Sequence, residues 1–474
     1  MIVTNVIAEL CSIVGEDYLR VGSDISPRNC ADAAEIPPVV PRAVVLPGDT
    51  QEVSQVLHFC QLVHQPLVIQ GGMTGLAGGA QPMAGEVALS LERLNGVEDV
   101  DIASRTMIVR AGTPLFAVHE AAEAAGLFYG VDLGARGSCT IGGNVATNAG
   151  GIHVMRYGMT RRNVLGLEAV LADGTTVTCL NRMLKNNAGY DWTQLLIGSE
   201  GTLGVVTRVS LALQERPAGP QTALCACVSV ESALATLRTL DRRFPGRLIA
   251  FEAMWKEYID LASRMDGLPK PFAGSPEITV LVETALGDDD WAREVFAEAL
   301  AELLDAGLIE DASIAQSLHD RKRFWDYREA NYEFDRFMPK GQHFDVSLPL
   351  DRMDEAIETL RRALHRNRPD ATLVVFGHLA DCNLHLAVYP PDDDDLAEVV
   401  SIVYRTVATF GASVSAEHGI GVLKLPYLEL SRSAAELDLM RLLKRTLDPA
   451  NILNPGRVLT TVQIEPRRNW VVDC

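Results

Sequence analysis

Short apolar runs alternate with amphipathic stretches through the first half of the chain. Residues 43–46 and 67–69 are apolar runs rich in β-branched side chains, which predicts two buried strands. Between them Thr50 is the predicted N-cap of a helix, and Pro66 marks its end. The apolar residues of that helix fall on one face: Val53, Val56, Leu57, Cys60 and Val63. This alternation predicts an α/β layered domain that ends at about residue 216.

A second helix of this domain is predicted from its start and stop signals. Thr113 is the expected N-cap, Pro114 takes the first helical position, and Gly126 lies just past the end. Pro217 and Pro220 then mark a change in composition, after which strands and longer charged helices follow. We therefore predict a domain boundary near residue 217.

Four glycine-rich segments are the first chemical signal: 71–79, 138–144, 147–151 and 198–204. A backbone without Cβ atoms can approach a diphosphate closely, and its N–H groups can bind the phosphate oxygens. The first segment matches neither the GxGxxG of nicotinamide-binding Rossmann domains nor the Walker A loop. Each segment alone is also typical of a tight turn, but four in one domain indicate a long ligand bound across several loops.

Histidines mark a second chemical signal. Residues 372–376 and 384–389 are apolar strand patterns, and a four-residue hairpin loop at 380–383 would place His378 opposite His385. Two facing imidazoles can share one metal ion, for which zinc is a common choice. A hydrogen-bonded polar patch is the alternative. Residues 415–421 predict a turn that presents Glu417 and His418.

Charge and composition exclude several classes of protein. The 474 residues include 42 Lys and Arg against 62 Asp and Glu, a net charge of −20, which argues against general binding to nucleic-acid phosphates. No stretch of 18 uncharged apolar residues predicts a membrane span, although peripheral association with a membrane is left open. Nine cysteines without a CxxC pair predict reduced thiols in a cytoplasmic protein. Residues 1–15 predict an amphipathic helix and no targeting signal.

Three of the glycine-rich regions carry a resemblance to a known superfamily. Residues 70–79, 142–151 and 198–204 resemble the FAD-binding segments of p-cresol methylhydroxylase (PCMH) or vanillyl-alcohol oxidase type flavoproteins. Within it, residues 138–151 and 171–175 are most similar to the D-2-hydroxyacid dehydrogenases, especially the D-2-hydroxyglutarate dehydrogenase group. D-lactate dehydrogenases and the FAD subunits of glycolate oxidase are also similar.

The resemblance implies an α+β fold. It combines a two-subdomain, PCMH-type FAD-binding α/β domain with an antiparallel-sheet α+β cap domain, and a C-terminal helix that packs back on the FAD-binding domain. The predicted division is an N-terminal helical segment (1–36), the FAD-binding domain (37–216), the cap domain with a metal site (217–430) and the C-terminal helix and tail (431–474). The acidic run 392–395 is predicted to be a solvated loop.

The resemblance also assigns FAD contacts, without a covalent bond to the flavin. Asn454 would lie near the flavin. The other predicted contacts are Gly71, Gly72, Met73, Thr74, Gly75, Leu76, Gly79, Ser138, Thr140, Gly142, Gly143, Asn144, Thr147, Asn148, Gly150, Gly151, Glu200, Gly201, Gly204 and Val205.

In the second half, residues 377–385 and 417–421 resemble the GHxxDGNxH and EHGIG motifs of these dehydrogenases. The resemblance makes His378, His385 and Glu417 the ligands of a divalent metal, with zinc as the expected ion, and His418 the catalytic base. Cys382 stands where the motif usually has Gly, which a turn with negative φ would tolerate.

Around the substrate, the resemblance assigns Arg328 to the substrate carboxylate, with an ion pair to a nearby acid as the alternative reading. Tyr332, His343 and Ala387 stand where the hydroxyglutarate group has Thr, Lys and Asn. These changes remove polar contacts to a distal carboxylate and predict a different or more apolar 2-hydroxy acid.

The expected activity is an FAD- and metal-dependent oxidation of a D-2-hydroxy acid to the 2-oxo acid, by hydride transfer to flavin N5. Electrons would pass to an acceptor other than nicotinamide, such as an electron-transfer flavoprotein, a cytochrome or a quinone. A D-lactate or glycolate dehydrogenase and a non-catalytic flavin-binding subunit are the alternatives. A homodimer is left open.

Overall fold

The computed structural model describes residues 5–34, 36–336, 338, 340–391 and 396–460. The acidic run 392–395 and the tail 461–474 lie outside the described residues, so the predictions made for them stay predictions. Within the described part of the chain, no helix is both long and apolar enough to cross a membrane.

Helices and strands alternate in the first half of the chain and are longer in the second. The helices are α1 (Val6–Val14), α2 (Thr50–Leu62), α3 (Leu115–Ala124), α4 (Ile141–Thr147), α5 (Val154–Tyr157), α6 (Thr160–Asn163), α7 (Thr193–Leu196), α8 (Val230–Arg243), α9 (Lys256–Ala262), α10 (Asp290–Asp305), α11 (Leu318–Glu329), α12 (Met353–Asn367), α13 (Leu396–Ala408) and α14 (Ala434–Leu447). The strands are β1 (Leu19–Arg20), β2 (Ala43–Val45), β3 (Leu67–Gln70), β4 (Val87–Ser90), β5 (Val97–Asp101), β6 (Thr106–Arg110), β7 (Leu127–Phe128), β8 (Val164–Val170), β9 (Thr176–Cys179), β10 (Val205–Ala212), β11 (Gln214–Glu215), β12 (Pro220–Cys227), β13 (Leu248–Trp255), β14 (Ile278–Ala285), β15 (Asp311–Ile314), β16 (Gln342–Ser347), β17 (Thr372–His378) and β18 (Asn383–Tyr389).

Two sheets build the first half of the chain. One has the strand order β1-β2-β4-β3, in which β2, β4 and β3 are parallel. The other is antiparallel, in the order β5-β6-β10-β8-β9. Each sheet has its own apolar core, the first packed against α2 and the second against α3. These two layers confirm the predicted two-subdomain arrangement.

A seven-stranded antiparallel sheet dominates the second half, in the order β15-β12-β14-β13-β17-β18-β16. One face is covered by the amphipathic helices α8, α10, α12 and α13, whose apolar residues form the largest core cluster. Since side chains alternate between the faces of a strand, the remaining residues of the same strands point to the opposite face. That face carries the histidines, and the sheet confirms the predicted α+β class.

The C-terminal helix contacts the FAD-binding domain, as predicted. Lys444 of α14 is buried and donates hydrogen bonds to the carbonyl oxygens of Thr202 (2.9 Å) and Leu453 (2.7 Å). Leu453 also forms a parallel β-bridge with Leu67, at the start of β3. The division of the chain at residues 36, 216 and 430 stays a prediction.

Two helix starts differ from the prediction. Asp49, not Thr50, is the N-cap of α2, because its carboxylate accepts the N–H of Glu52 at 2.9 Å. The Thr50 hydroxyl instead donates to Glu168 (2.7 Å) in the neighbouring sheet. Helix α3 begins one residue later than predicted, with Pro114 in the N-cap position. At α2 two neighbouring polar residues compete for one cap, and the tertiary contact of Thr50 selects Asp49. At α3 the Thr113 hydroxyl is hydrogen-bonded to Gly96.

Candidate active site

The β17–β18 hairpin brings the two predicted histidines together in a register that differs from the prediction. His385 pairs with Phe376 and not with His378, so the pairing is shifted by two residues. A short 3₁₀ turn, Leu379–Asp381, takes up the additional residues. Because side chains repeat every two residues along a strand, an even shift keeps both imidazoles on one face. Their ring centroids lie 5.2 Å apart.

Cys382 closes this hairpin in a left-handed backbone conformation with φ of +71°. The expectation that a negative φ tolerates a side chain here is therefore wrong. A residue with a Cβ atom in this region costs about 1–2 kcal/mol relative to the right-handed region. The turn is formed in spite of that cost, because flanking strand pairing fixes the chain on both sides.

His378, His385 and Glu417 bring one ligand atom each to within 4.8 Å of one another. His378 Nε2 lies 3.9 Å from the Glu417 carboxylate. Two atoms bound to one zinc ion at about 2.0–2.2 Å each are separated by at most about 4.4 Å, so the separation of His378 Nε2 and Glu417 suits a shared ion. The donor set of two imidazoles and one carboxylate fits a divalent cation that keeps open positions for a substrate.

Glu252 orients the first histidine, and sequence reasoning did not identify it. Its carboxylate lies 2.7 Å from His378 Nδ1, which leaves Nε2 directed toward Glu417. Burial alone would lower the pKa of His378, but the Glu252 charge raises it to about 9. The pocket thus favours a positive charge at this position, which a metal ion would also supply. The only sequence signal for Glu252 was an acidic residue within the apolar strand β13.

Arg328 shares the same carboxylate. Its Nε donates to Glu252 at 2.7 Å, and its guanidinium carbon lies 5.0 Å from the ring centroid of Phe376. The ion pair with an acid, which was the alternative prediction for Arg328, is therefore present. It is buried next to His378 and does not lie on the surface. This bond to Glu252 engages Nε of the Arg328 guanidinium. Its role in binding a substrate carboxylate stays a prediction.

Asp345 is a second buried carboxylate that sequence reasoning missed. It has no exposed surface, and its Oδ2 accepts the backbone N–H groups of Ala416 (3.1 Å), Glu417 (2.8 Å) and His418 (3.0 Å). Burial alone would raise the pKa of Asp345, but the His418 imidazole, which is cationic at the acid pH where a carboxyl group titrates, and the Lys424 ammonium hold it well below its usual range. Asp345 therefore fixes the turn that carries Glu417 and His418. Its sequence signal was an acid at the centre of strand β16.

His418 lies on that turn with a quarter (25%) of its side chain exposed, and its Nδ1 is 3.8 Å from Asp345. Its ring is stacked parallel to that of His385, at 6.2 Å between centroids. Burial lowers the pKa of His418 below its ordinary value, and Asp345 opposes this only in part. A neutral imidazole at neutral pH can accept a proton.

The three residues predicted around the substrate are not equivalent. His343 pairs directly with Ala387 across β16 and β18, on the face that carries His385. Ala387 is buried, whereas the His343 ring lies at the edge of the sheet, 6.0 Å from that of Tyr389. Tyr332 is 71% exposed, and its hydroxyl lies 2.7 Å from where a Cβ atom on Gly134 would be. The structure thus places His343 and Ala387 on the sheet face that carries His385, whereas the Tyr332 side chain is mostly exposed and lies close to Gly134.

The glycine-rich loops converge in the first half of the chain. A Cβ atom at Gly72 would lie 2.2 Å from the Ser138 carbonyl oxygen, and one at Gly71 would lie 2.7 Å from the Thr140 hydroxyl. The first two loops therefore pack backbone to backbone, which only glycine allows. The Gly198 N–H donates to the carbonyl of Val145 in α4 at 2.9 Å, which joins the last loop to the same group.

These loops fit a dinucleotide such as FAD. The Thr140 hydroxyl is buried and has no hydrogen-bond partner among the described residues, so it is available to a ligand. The predicted contacts lie on the loop after β3, on α4 and its flanks, and in the turn before β10.

The side chains of Glu200 and Asn454 form hydrogen bonds with backbone groups of the protein. The Glu200 carboxylate accepts the N–H groups of Ile420 and Gly421. Asn454 accepts the N–H of Ile69 (2.8 Å) and donates to the Glu200 carbonyl (2.6 Å). All the assigned FAD contacts stay predictions.

Two family models match the chain. Residues 41–180 match the FAD binding domain, and residues 216–458 match the C-terminal domain of FAD linked oxidases. Among solved structures, p-cresol methylhydroxylase superposes with a TM-score of 0.73 at 14% identity, covering 95% of this chain and 96% of the other. The 4-ethylphenol oxidase from Gulosibacter chungangensis gives 0.71 at 19% identity, with 96% of each chain covered. At these identities the likeness shows the fold, which is the predicted PCMH type.

Two curated relatives carry the comparison further. The D-2-hydroxyglutarate dehydrogenase of Xanthomonas citri pv. viticola is 40% identical over 430 residues, 89% of this chain and 90% of the relative. The mitochondrial D-2-hydroxyglutarate dehydrogenase of Bos taurus is 40% identical over 467 residues, 95% of this chain and 85% of the relative. Since one relative is named as mitochondrial, a cytoplasmic location stays a prediction. The chain belongs to the family of FAD-linked oxidoreductases that includes these D-2-hydroxyacid dehydrogenases.

Proposed function

We propose that this protein is an FAD- and divalent-metal-dependent dehydrogenase that oxidises a D-2-hydroxy acid to the 2-oxo acid. The observation that carries the proposal is the convergence of His378, His385 and Glu417, with His418 beside them on the same turn. Histidine and carboxylate side chains at this spacing suit a metal, and a third histidine that is neutral suits a base. A flavin-binding subunit without catalysis would not need this constellation.

FAD would be held by the glycine-rich loops without a covalent bond to the flavin. The close approach of Gly72 to Ser138 and the unpartnered hydroxyl of Thr140 support this part of the proposal. When bound, FAD supplies an acceptor for the α-hydrogen of the substrate, taken as a hydride at N5.

A divalent cation, with zinc as the first candidate, would be held by His378, His385 and Glu417. When bound, such an ion lowers the pKa of a substrate hydroxyl and stabilises the alkoxide. Glu252 keeps the Nδ1 side of His378 occupied, so that Nε2 is the free nitrogen.

Two protein side chains would accept the proton and bind the substrate carboxylate. The His418 imidazole would accept the hydroxyl proton, since burial keeps it neutral near pH 7. The Arg328 guanidinium would bind the carboxylate of the substrate through its terminal nitrogens, while Nε stays on Glu252. Transfer of the hydroxyl proton to His418 would account for one of the two hydrogens lost, and the α-hydrogen would leave with two electrons to the acceptor that FAD would supply, which balances the two-electron oxidation.

The D-2-hydroxyglutarate-like class is the first substrate candidate, because the relatives at 40% identity carry that name. A second candidate is a smaller or more apolar acid such as D-lactate or glycolate. Buried Ala387, next to His385 on the site face, favours it by offering no polar group to a distal carboxylate. We further propose a non-nicotinamide electron acceptor, of the electron-transfer flavoprotein, cytochrome or quinone type.

The test is anaerobic spectroscopy of the purified protein. We expect the visible flavin absorption to bleach on addition of one D-2-hydroxy acid, to persist with the L-enantiomer, and to persist with either after metal removal by a chelator. Bleaching by D-lactate or glycolate, and not by D-2-hydroxyglutarate, would select the second substrate candidate. A bound flavin that no 2-hydroxy acid reduces would overturn the proposed function.

A further inference from the structure

The turn that carries Glu417 and His418 lies between the two halves of the protein. On one side it is bound by Asp345 of the seven-stranded sheet, through three consecutive backbone N–H groups. On the other side it continues into Ile420 and Gly421, whose N–H groups point toward the FAD-binding domain. The position of His418 relative to the flavin-binding loops therefore depends on both attachments.

Glu200 forms the attachment on the FAD side. Its Oε1 accepts the Ile420 N–H at 2.7 Å, and its Oε2 accepts the Gly421 N–H at 2.8 Å. The side chain is buried, at 8% exposure. These two bonds join segments 220 residues apart in sequence, so neither can be replaced by local structure.

The backbone of Glu200 belongs firmly to the FAD-binding domain. Its N–H donates to the carbonyl of Ala146 in α4 at 2.8 Å, and its carbonyl accepts from Asn454. The carboxylate thus extends from a turn whose backbone is hydrogen-bonded to α4, the helix that the glycine-rich loops flank. A displacement of the Glu200 side chain would move the turn without moving those loops.

The backbone conformations of Glu200 and Gly419 both accommodate this carboxylate. Glu200 has a φ of +52°, a conformation that favours glycine, so the chain accepts a cost to place a carboxylate here. Gly419 has a φ of +79°, and a Cβ atom there would lie 2.8 Å from the Glu200 carboxyl group. The site has room for the carboxylate only because residue 419 is glycine.

We propose that Glu200 is a positioning residue that fixes the Glu417–His418 turn relative to the bound flavin. It does so through the N–H groups of Ile420 and Gly421, without touching the substrate. The expected effect on the rate of flavin reduction rests on the proposed function. The expected effect on the position of the turn does not. It also differs from the role of FAD contact that the resemblance implies for Glu200.

The main variant is Glu200→Gln, whose side chain keeps its shape but can accept through only one oxygen. The matched control is Glu168→Gln, since Glu168 is equally buried, at 8%, in strand β8 of the same domain. Its carboxylate binds Thr50, Thr207 and Arg208, away from the turn.

The first readout is amide hydrogen exchange of the full-length protein with FAD bound, followed by mass spectrometry. We expect faster exchange at residues 416–424 in Glu200→Gln and unchanged exchange there in Glu168→Gln. This measurement needs no substrate, so it tests the attachment even if no 2-hydroxy acid reduces the flavin. Unchanged exchange in Glu200→Gln would overturn the inference.

The second readout is the rate of anaerobic flavin reduction by the acid that reduces the unmodified protein. A misplacement of about 1 Å can cost about 100-fold in rate, so we expect a 10- to 100-fold loss in the limiting rate of Glu200→Gln. FAD content and substrate affinity should change far less. Loss of FAD with a retained rate per bound flavin would overturn positioning in favour of a direct FAD contact.

A second variant keeps the test decisive if Glu200→Gln fails to fold. Gly419→Ala leaves the Glu200 carboxylate intact but pushes a methyl group against it from the turn. We expect the same local exchange and the same slower reduction. A Gly419→Ala protein that folds, binds FAD and matches the unmodified protein in both readouts would overturn the inference.

Discussion

At the scale of single residues, two buried carboxylates arrange the groups that would do the chemistry. Glu252 is bound by His378 and Arg328, and Asp345 by three N–H groups and by Lys424. A buried charge without partners costs several kcal/mol, so each carboxylate is surrounded by cations or N–H donors. The imidazoles of the site are therefore oriented by acids that do not themselves need to react.

Replacing Glu252 by Gln tests the orientation of the first histidine. We expect metal affinity to fall by about 10- to 100-fold, because the carboxylate that orients His378 Nδ1 is lost. Metal content after dialysis against graded chelator concentrations measures the effect. Glu283→Gln is the control, since Glu283 is equally buried in neighbouring β14 but binds Arg321. Equal metal affinity in both variants would remove Glu252 from this role.

Replacing His418 by Ala tests the proposed base. We expect the rate of flavin reduction to fall by about 10²- to 10⁴-fold, with FAD and metal still bound, since only the proton acceptor is lost. His319→Ala, on the exposed side of α11, is the control and should keep its full rate. A His418→Ala protein that reduces its flavin at the original rate would contradict the assignment.

At the scale of elements, strand alternation explains why a wrong register still predicted the right neighbours. The β17–β18 pairing differs by two residues from the predicted one, which preserves the face of every side chain. An odd shift would have put His385 into the apolar core on the other face. The turn that joins the strands holds Cys382 in a left-handed conformation, so its strain belongs to the hairpin and not to the metal site.

Replacing Cys382 by Gly is expected to stabilise the protein by about 1 kcal/mol. The change removes the left-handed strain of about 1–2 kcal/mol, and the greater freedom of unfolded glycine offsets part of the gain. Urea unfolding of the holoprotein measures the shift. Cys382→Ala keeps the strain without the thiol and should unfold close to the original midpoint. A Gly variant less stable than the Ala variant would refute the strain argument.

At the scale of the whole molecule, hydrogen bonds between segments that are distant in sequence hold the candidate active site together. The Glu200 turn, the Asp345 strand and the 415–421 turn belong to different elements, yet hydrogen bonds unite them. The C-terminal segment adds a further tie through Lys444, which is buried against Asp448 and two carbonyl groups. Such ties hold the FAD-binding sheets and the seven-stranded sheet in one arrangement.

Replacing Lys444 by Met tests the C-terminal tie. We expect a loss of about 3–5 kcal/mol in the free energy of unfolding, because the buried Asp448 carboxylate would lose its cation and keep only the N–H groups of Ile452 and Leu453. Urea unfolding followed by flavin fluorescence measures it. Arg445→Met, one residue on and exposed, should change stability by less than about 0.5 kcal/mol. Equal midpoints for the two variants would show that the tie contributes nothing to stability.

The α/β alternation of the first half and the hairpin of the two histidines could be predicted from local chemistry alone, whereas the arrangement of the subdomains and the cap domain was predicted from the family resemblance. Glycine runs such as 71–79 indicate close backbone approach wherever they occur, and the strand patterns around His378 and His385 place both on one face. The even side-chain period made the pairing of the histidines insensitive to the details of the turn.

The functions of Glu252, Asp345 and Glu200 could not be predicted in this way. A lone acid in an apolar strand or in a glycine-rich turn is ambiguous until its partners are known, and those partners lie 126, 72 and 220 residues away. The same holds for Arg328, whose ion pair depends on where β13 lies in the sheet. Local pattern specifies which face a side chain occupies, whereas the packing of distant strands and turns specifies which charge it meets there.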